Sequence, residues 1–197
     1  MGIFDKLFGR KSDKNKTQNT EQISLDDIWY STPTISNEFP QTIPLKSTSE
    51  NDTEIHEDDY RQIEFLNLTS QSLVEQELIG INAIWENQSK KNEDYTLFKK
   101  CHVRSTIGSP NLTISIDELK SILKTSNSGQ VIINGQKLNN GFSIKTPYTT
   151  YFGTFINSQV TELCIANMTE ESINEIKNLN KTFDLIFVNW PNCELIK

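Results

Sequence analysis

The pattern of apolar and polar positions separates a polar first part of the chain from a patterned remainder. Over residues 71–88, apolar side chains recur every three or four positions, which predicts an amphipathic helix. A second helix is predicted over 116–125, because Ser115 and Glu118 match the capping box found at helix starts. An apolar stripe at the same spacing predicts a third helix after Thr169.

The segments between these helices favour β-strands. QVIINGQKL, at 130–138, predicts a hairpin, because Asn134 and Gly135 accept the positive φ that a two-residue turn requires. FDLIFVNW, at 183–190, is a continuous apolar run, typical of a strand covered on both faces. The third helix joins this strand to TELCIANM, at 161–168, a second buried-strand run, which favours a parallel crossover. The predicted class is therefore α+β, a mixed β-sheet with about three helices over residues 60–197.

Residues 12–59 have the composition of a disordered linker. Ser, Thr, Asn, Asp and Glu dominate, and the net charge of this segment is −8, against −1 for residues 60–197. One apolar island, ISLDDIWYSTP at 23–33, interrupts it. Trp and Tyr supply much of the energy of protein interfaces, so the island either docks on a partner or packs on the chain's own domain. The candidate docking residues are Leu25, Ile28, Trp29 and Tyr30.

The first eleven residues, MGIFDKLFGRK, form a small unit with a net charge of +2. At 100° per residue its apolar side chains share one side of a helix, and basic residues border them. These residues are Ile3, Phe4, Leu7 and Phe8, bordered by Lys6 and Arg10. The pattern predicts an amphipathic helix over 1–11 that contacts a membrane, a partner's groove or its own domain. Binding is weak, because ordering ten residues costs ~10–20 kcal/mol against at most ~6–12 kcal/mol from burial.

This opening stretch resembles the start of the glucose-specific enzyme IIA of the phosphotransferase system. In that family the stretch forms an amphipathic helix that touches the membrane. The resemblance is confined to the opening of the chain, since the family's β-rich domain and paired active-site histidines have no counterpart here. It implies a membrane contact for this segment and nothing about catalysis.

A second resemblance falls on KSILKTSNSGQVIINGQKLNNGFSIK, which is similar to the hairpin end of the S4-type RNA-binding module. The helices that precede the hairpin in that family are strongly basic. Here residues 116–145 hold four lysines against two acidic residues, a net charge of only +2. RNA binding through the hairpin at 130–138 is therefore an alternative, and the resemblance assigns no site residues.

Side chains able to do chemistry are few. His102 follows Cys101 directly in a segment of β-strand composition, and neighbours in a strand point to opposite faces. The two therefore share no proton without a local bend. The three cysteines lack zinc-site spacing, and no Gly-rich phosphate loop precedes a helix. The sequence predicts no catalytic residue, no metal and no cofactor, and the odd number of cysteines fits a reducing compartment.

These patterns together predict a non-enzymatic protein-binding domain, adaptor-like or immunity-like, tethered by its N-terminal segment to a membrane surface or a partner. The expected partner is another protein, since a net charge of −7 argues against general nucleic-acid binding. The alternative to binding is an enzyme assembled from scattered residues such as Glu77, Cys101 and His102. Without a signal peptide or a long apolar run, we expect a cytoplasmic protein, with peripheral contact on the inner face of the membrane as one use of the segment.

Overall fold

The structure is a computed structural model that describes residues 28–91, 94–105, 107 and 112–197. Within these ranges the chain forms three α-helices and fourteen β-strands, which confirms the predicted α+β class. The helices are α1 (Gln71–Gln88), α2 (Ile116–Ile122) and α3 (Ile173–Phe183). The strands are β1 (Thr34–Ser36), β2 (Thr42–Pro44), β3 (Thr53–Ile55), β4 (Ile63–Asn67), β5 (Ser89–Lys91), β6 (Thr96–Phe98), β7 (His102–Arg104), β8 (Val131–Ile133), β9 (Gln136–Leu138), β10 (Gly141–Lys145), β11 (Thr150–Ile156), β12 (Gln159–Ile165), β13 (Leu185–Asn189) and β14 (Glu194–Ile196).

A six-stranded sheet in the order β10-β11-β12-β4-β13-β14 forms the centre of the fold. Every neighbouring pair in it is antiparallel. Strands β12 and β13 therefore run parallel to each other on either side of β4, and α3 connects them. The parallel crossover is thus present, but β4 is inserted between its two strands.

The mixed character of the fold lies in a four-stranded sheet of order β2-β9-β8-β3, in which β3 and β8 are parallel. Strands β8 and β9 form the predicted hairpin, with φ values of 50° at Asn134 and 72° at Gly135. Both turn residues take positive φ, as a tight two-residue turn requires. The hairpin lies between β2 and β3, so both of its outer edges are paired.

Strand β13 shows how side-chain alternation builds two cores from one strand. Leu185 and Phe187 lie in a cluster with residues of α2 and α3, whereas Ile186 and Val188 lie in a cluster with residues of α1. Successive side chains of a strand point to opposite faces, so the helices cover the sheet on both sides. All five residues of β13 are buried, which confirms the prediction made from the continuous apolar run.

A third core joins the two sheets. Val131, Ile133 and Leu138 of the four-stranded sheet pack against Phe152 of β11 and Cys164 of β12. Cys164 pairs with Glu64 on β4, two residues from Leu66 of the α1 cluster, so the three side chains share one face of the sheet. The four-stranded sheet and α1 therefore cover different halves of that face.

The structure corrects the predicted linker over residues 12–59. Three strands, β1, β2 and β3, lie in its described part and pair with β7, β9 and β8. Each strand has only three residues, too few for an alternating pattern, and each finds its partner far along the chain. The domain therefore begins upstream of residue 60. The predicted helix over 1–11 and the linker up to residue 27 lie outside the described residues.

Gly80 occupies an interior position of α1, where glycine costs ~1 kcal/mol relative to alanine. The imidazole of His102 explains it, because a Cβ on Gly80 would lie 2.5 Å from the Cε1 atom of that ring. Nε2 of His102 lies 2.6 Å from Oε2 of Glu77, and the Ser105 N–H donates to Oε1 of Glu77 at 3.1 Å. These contacts hold β7 and the residue after it against the helix.

The contact between Gly80 and His102 can be tested by the sign of the stability change when Gly80 is replaced by alanine. Gly80→Ala gains about 1 kcal/mol of helix propensity but meets an overpacking cost of about 1–3 kcal/mol from the ring. We expect a lower free energy of unfolding in the wild-type background, measured by urea denaturation. In a His102→Ala background the same substitution should raise it. Stabilisation by Gly80→Ala in both backgrounds would show that the ring does not restrict this position.

Candidate functional site

Two buried arginines lie at the centre of a polar network beneath the surface. Arg61 follows the 3-10 helix at Glu57–Asp59 and has a φ of 56°. Strand β4 begins two residues after it. Its Nε donates to Oε2 of Glu64 at 2.7 Å, and its Nη1 donates to a carboxylate oxygen of Glu38. Nη2 of Arg104 donates to the Arg61 carbonyl at 2.7 Å. Both guanidinium groups are almost completely buried.

Trp190 completes this network from the end of β13. Its Nε1 donates to Oε1 of Glu64 at 2.9 Å, so each oxygen of that carboxylate accepts a hydrogen bond. The guanidinium of Arg104 lies 4.9 Å from the centre of the indole ring. Burial lowers the pKa of Arg104 to about 10. Burial also opposes the charge of Arg61, but the adjacent Glu64 outweighs it and raises the pKa of Arg61.

Glu38 connects this network to a surface cleft of about 280 Å³, which we call the acidic cleft. Its polar wall is organised around Glu162, where Oε2 accepts hydrogen bonds from the Tyr60 hydroxyl at 2.6 Å and from Thr154 Oγ1 at 2.8 Å. The lining residues are Glu38, Phe39, Gln41, Tyr60, Leu138, Asn139, Asn140, Thr154, Ile156, Thr161 and Glu162.

A β-bulge between β11 and β12 brings the side chains of Thr154 and Thr161 into contact in the acidic cleft. Thr154 pairs with Glu162 while Phe155 pairs with Val160, so Thr161 is the extra residue. Thr154 Oγ1 consequently lies 2.7 Å from Thr161 Oγ1 as well as against Glu162. A side chain at the neighbouring Gly153 would collide with the Glu162 carbonyl oxygen, so the bulge requires glycine there.

The acidic cleft combines negative charge with an apolar rim. Phe39 is 77% exposed and Ile156 is 55% exposed, which makes them open apolar side chains beside two carboxylates. Oε1 of Glu162 accepts no hydrogen bond from the described part of the chain. Burial, together with Glu162, raises the pKa of Tyr60, so its hydroxyl stays neutral and donates. Free carboxylate oxygens beside an aromatic ring suit a cationic group.

The enzyme alternative named Glu77, Cys101 and His102, and the structure brings two of these together. Glu77 and His102 are in contact, whereas the Cys101 thiol lies 3.9 Å from the His102 carbonyl oxygen. Burial raises the pKa of Cys101, which makes it a poor nucleophile at neutral pH. None of the three residues lines the acidic cleft. Within the described residues, no group of three metal-binding side chains is found.

The docking motif lies partly in the described residues, at Ile28, Trp29 and Tyr30. The backbone of Tyr30 exchanges hydrogen bonds of 2.8 and 2.9 Å with Phe98, so this stretch pairs with β6. All three side chains are still about two-fifths exposed. The remaining predicted contact residues, Leu25 and Ile3, Phe4, Lys6, Leu7, Phe8 and Arg10, lie outside the described residues.

The pattern of the sequence does not reveal the acidic cleft. Glu38 and Phe39 lie in the segment predicted to be a linker, and Tyr60 stands at its boundary. One signal was present: Glu162 interrupts the apolar run VTELCI, where an acidic side chain in a strand needs a partner. The bulge that gives it those partners has no signature in the sequence.

Comparison with protein-family models, curated proteins and solved structures finds no match for this chain. Any functional assignment therefore depends on the chemistry of its own surfaces. In the part of the chain that the structure describes, no helix combines the length and apolarity needed to cross a membrane.

Replacing Glu64 by glutamine should strongly destabilise the fold. The substitution keeps the shape of the side chain but leaves the two buried guanidinium groups of Arg61 and Arg104 with only the partly exposed Glu38 as a carboxylate in contact. Breaking a buried charge pair on one side costs about 3–5 kcal/mol, measured as a lower urea midpoint at an unchanged m value. Glu171→Gln, an exposed change of the same charge, should stay within about 0.5 kcal/mol of wild type. A similarly small effect of Glu64→Gln would contradict this role for the network.

Proposed function

We propose that this protein is a non-enzymatic protein-binding domain whose acidic cleft receives a lysine or arginine side chain of its partner. The observation that supports this most directly is the placement of Glu38 and Glu162 in one cleft with the exposed Phe39 at its rim. The binding would be of the adaptor or immunity type, in which an acidic domain covers a basic surface of another protein.

Electrostatics favour a cationic partner group. Arg61 is the basic side chain in contact with Glu38, and it also binds Glu64, so its single charge serves two carboxylates. Within the described residues, Glu162 receives its hydrogen bonds from the neutral hydroxyls of Tyr60 and Thr154. The charge of Arg61 also acts on it, but that charge is already shared with Glu38 and Glu64. The chain as a whole carries −7, which would steer a basic partner towards the cleft.

The size and the rim of the cleft favour a side chain of a protein over a larger ligand. Its volume of about 280 Å³ lies just below the ~300–1,000 Å³ typical of small-molecule pockets. Exposed Phe39 and Ile156 supply apolar area around the polar wall. Interfaces commonly surround one desolvated charged anchor with apolar contacts that exclude water.

Residues 1–11 would serve as the tether in this proposal. The amphipathic pattern of this segment suits a membrane surface or a groove, and its weak binding would make attachment reversible. The enzyme and RNA alternatives have less support. The Glu77–His102 pair is explained by the contact between α1 and β7, and the hairpin at 130–138 offers Lys137 as its single basic side chain.

Peptide selection can test the cleft without knowledge of the partner. A random phage-displayed library panned on the wild-type protein should enrich peptides in which Lys or Arg stands next to an apolar residue. The selected peptide should bind Glu162→Gln at least about tenfold more weakly, because a partly desolvated ion pair is worth more than ~1.4 kcal/mol. Phe39→Ala should weaken it similarly. Affinities would be measured by calorimetry at low and at physiological salt.

Glu171→Gln is the matched control, since it removes the same charge from an exposed position in the turn before α3. It should change the peptide affinity by less than about twofold, because surface charges beyond a Debye length are screened. Selected peptides without basic residues, or equal affinity for wild type and Glu162→Gln at equal urea midpoints, would refute the proposal.

A further inference from the structure

A second surface of the domain has the opposite charge and carries exposed aromatic rings. The indole ring of Trp29 lies close to two ammonium groups, 5.9 Å from Lys90 Nζ and 5.0 Å from Lys99 Nζ. The ring is 39% exposed, and Tyr95, just before β6, is also exposed. We call this surface the Trp29 face and define it by Trp29, Lys90, Tyr95, Leu97 and Lys99.

Strand register explains why these side chains share one face. Tyr30 pairs with Phe98 in antiparallel orientation, which places Trp29 opposite Lys99. Lys90 pairs with Leu97, two residues before Lys99 and therefore on the same side of the ladder. Phe98 points the other way and packs edge-on against Trp85, with ring centres 4.8 Å apart. The ladder is thus anchored to α1 through one face and open on the other.

The charge of this region contrasts with that of the chain. SKKNEDYTLFKK, at 89–100, contains four lysines and two acidic residues, a net charge of +2 in a protein of −7. Trp and Tyr concentrate at the headgroup level of membranes, and lysines near an anionic leaflet are attracted to it. Lysine stems also lie along apolar surface while their ammonium groups reach outward. Exposed rings on the same face as lysines therefore match an anionic lipid surface.

We infer that the Trp29 face is a second membrane contact, which docks on anionic lipid when residues 1–11 are bound there. This inference rests on the tether of the proposed function. Sixteen residues, 12–27, separate that segment from Ile28, where the described chain begins beside Trp29. They span at most about 58 Å, and about 20–24 Å on average if they behave as the flexible coil their composition predicts.

Trp29 is next to Ile28, where the described chain begins. A bound N-terminal segment would therefore hold the Trp29 face closer to the lipid than parts of the domain that lie farther from Ile28. Two weak contacts on one short chain raise each other's effective concentration at the surface. The acidic cleft is repelled by the same anionic lipid, which leaves it for a protein partner. Membrane attachment therefore depends on two sites, neither of which binds firmly alone.

Vesicle sedimentation of the full chain tests this contact. Wild type should bind vesicles containing phosphatidylglycerol and should bind pure phosphatidylcholine vesicles much more weakly. Lys90→Glu combined with Lys99→Glu should weaken binding at least about 30-fold, since each lysine near an anionic surface contributes about fivefold. Trp29 fluorescence should shift to the blue on binding, and the shift should disappear in Trp29→Phe.

The matched control is Lys177→Glu combined with Lys181→Glu, which makes the same charge change on exposed positions of α3. It should alter vesicle binding by less than about threefold. If deleting residues 1–11 abolishes binding while Lys90→Glu/Lys99→Glu binds like this control, the tether stands and the Trp29 face is not a membrane contact. If the face binds an oligonucleotide or heparin but not vesicles, it is a site for soluble polyanions and the inference is wrong.

Discussion

Glu64 accepts a hydrogen bond from Arg61 through one carboxylate oxygen and from Trp190 through the other, at a buried position on β4. The surrounding elements meet at this carboxylate. Trp190 follows β13, and Arg104, stacked on Trp190, also binds the Thr34 hydroxyl of β1. An ion pair this deep gains little net stability, but loss of Glu64 would leave two buried guanidinium groups with only the partly exposed Glu38 as a carboxylate in contact. The network therefore specifies which segments must lie together more than it adds to the total free energy of folding.

The same network determines the geometry of the surface. Arg61 donates a hydrogen bond to Glu38, and its neighbour Tyr60 donates one to Glu162 in the same cleft. The two carboxylates are thus positioned by groups rooted in the core, not by a mobile loop. A preorganised site loses less conformational entropy when a partner binds. The acidic cleft carries negative charge and the Trp29 face carries positive charge, and each of the two surfaces has exposed aromatic area.

Long periodic segments of the sequence predicted the structure well, and short ones did not. Helix α1 matches its predicted range, the Asn134–Gly135 turn closes its hairpin, and β13 is covered on both faces. In α1 and β13 many residues of one segment repeat the same signal, and in the hairpin two turn residues meet a specific backbone requirement. Strands β1, β2 and β3 carry no such repetition, because their stability comes from backbone pairing with distant strands. The cleft depends on a bulge and on contacts between those distant segments. Residues such as Glu38 and Glu162 could therefore not be assigned to one site from the sequence alone.

The distant pairing of the N-terminal strands has a consequence for synthesis on the ribosome. Thr53 of β3 pairs with Val131, 78 residues later. At 5–20 residues per second, β3 waits roughly 4–16 s for its partner strand to be made. An apolar strand edge exposed for that time would invite aggregation. Residues 28–59 have a polar, acidic composition that gives them little tendency to aggregate during this interval. The apolar hairpin that they later flank is made only after they have been synthesised.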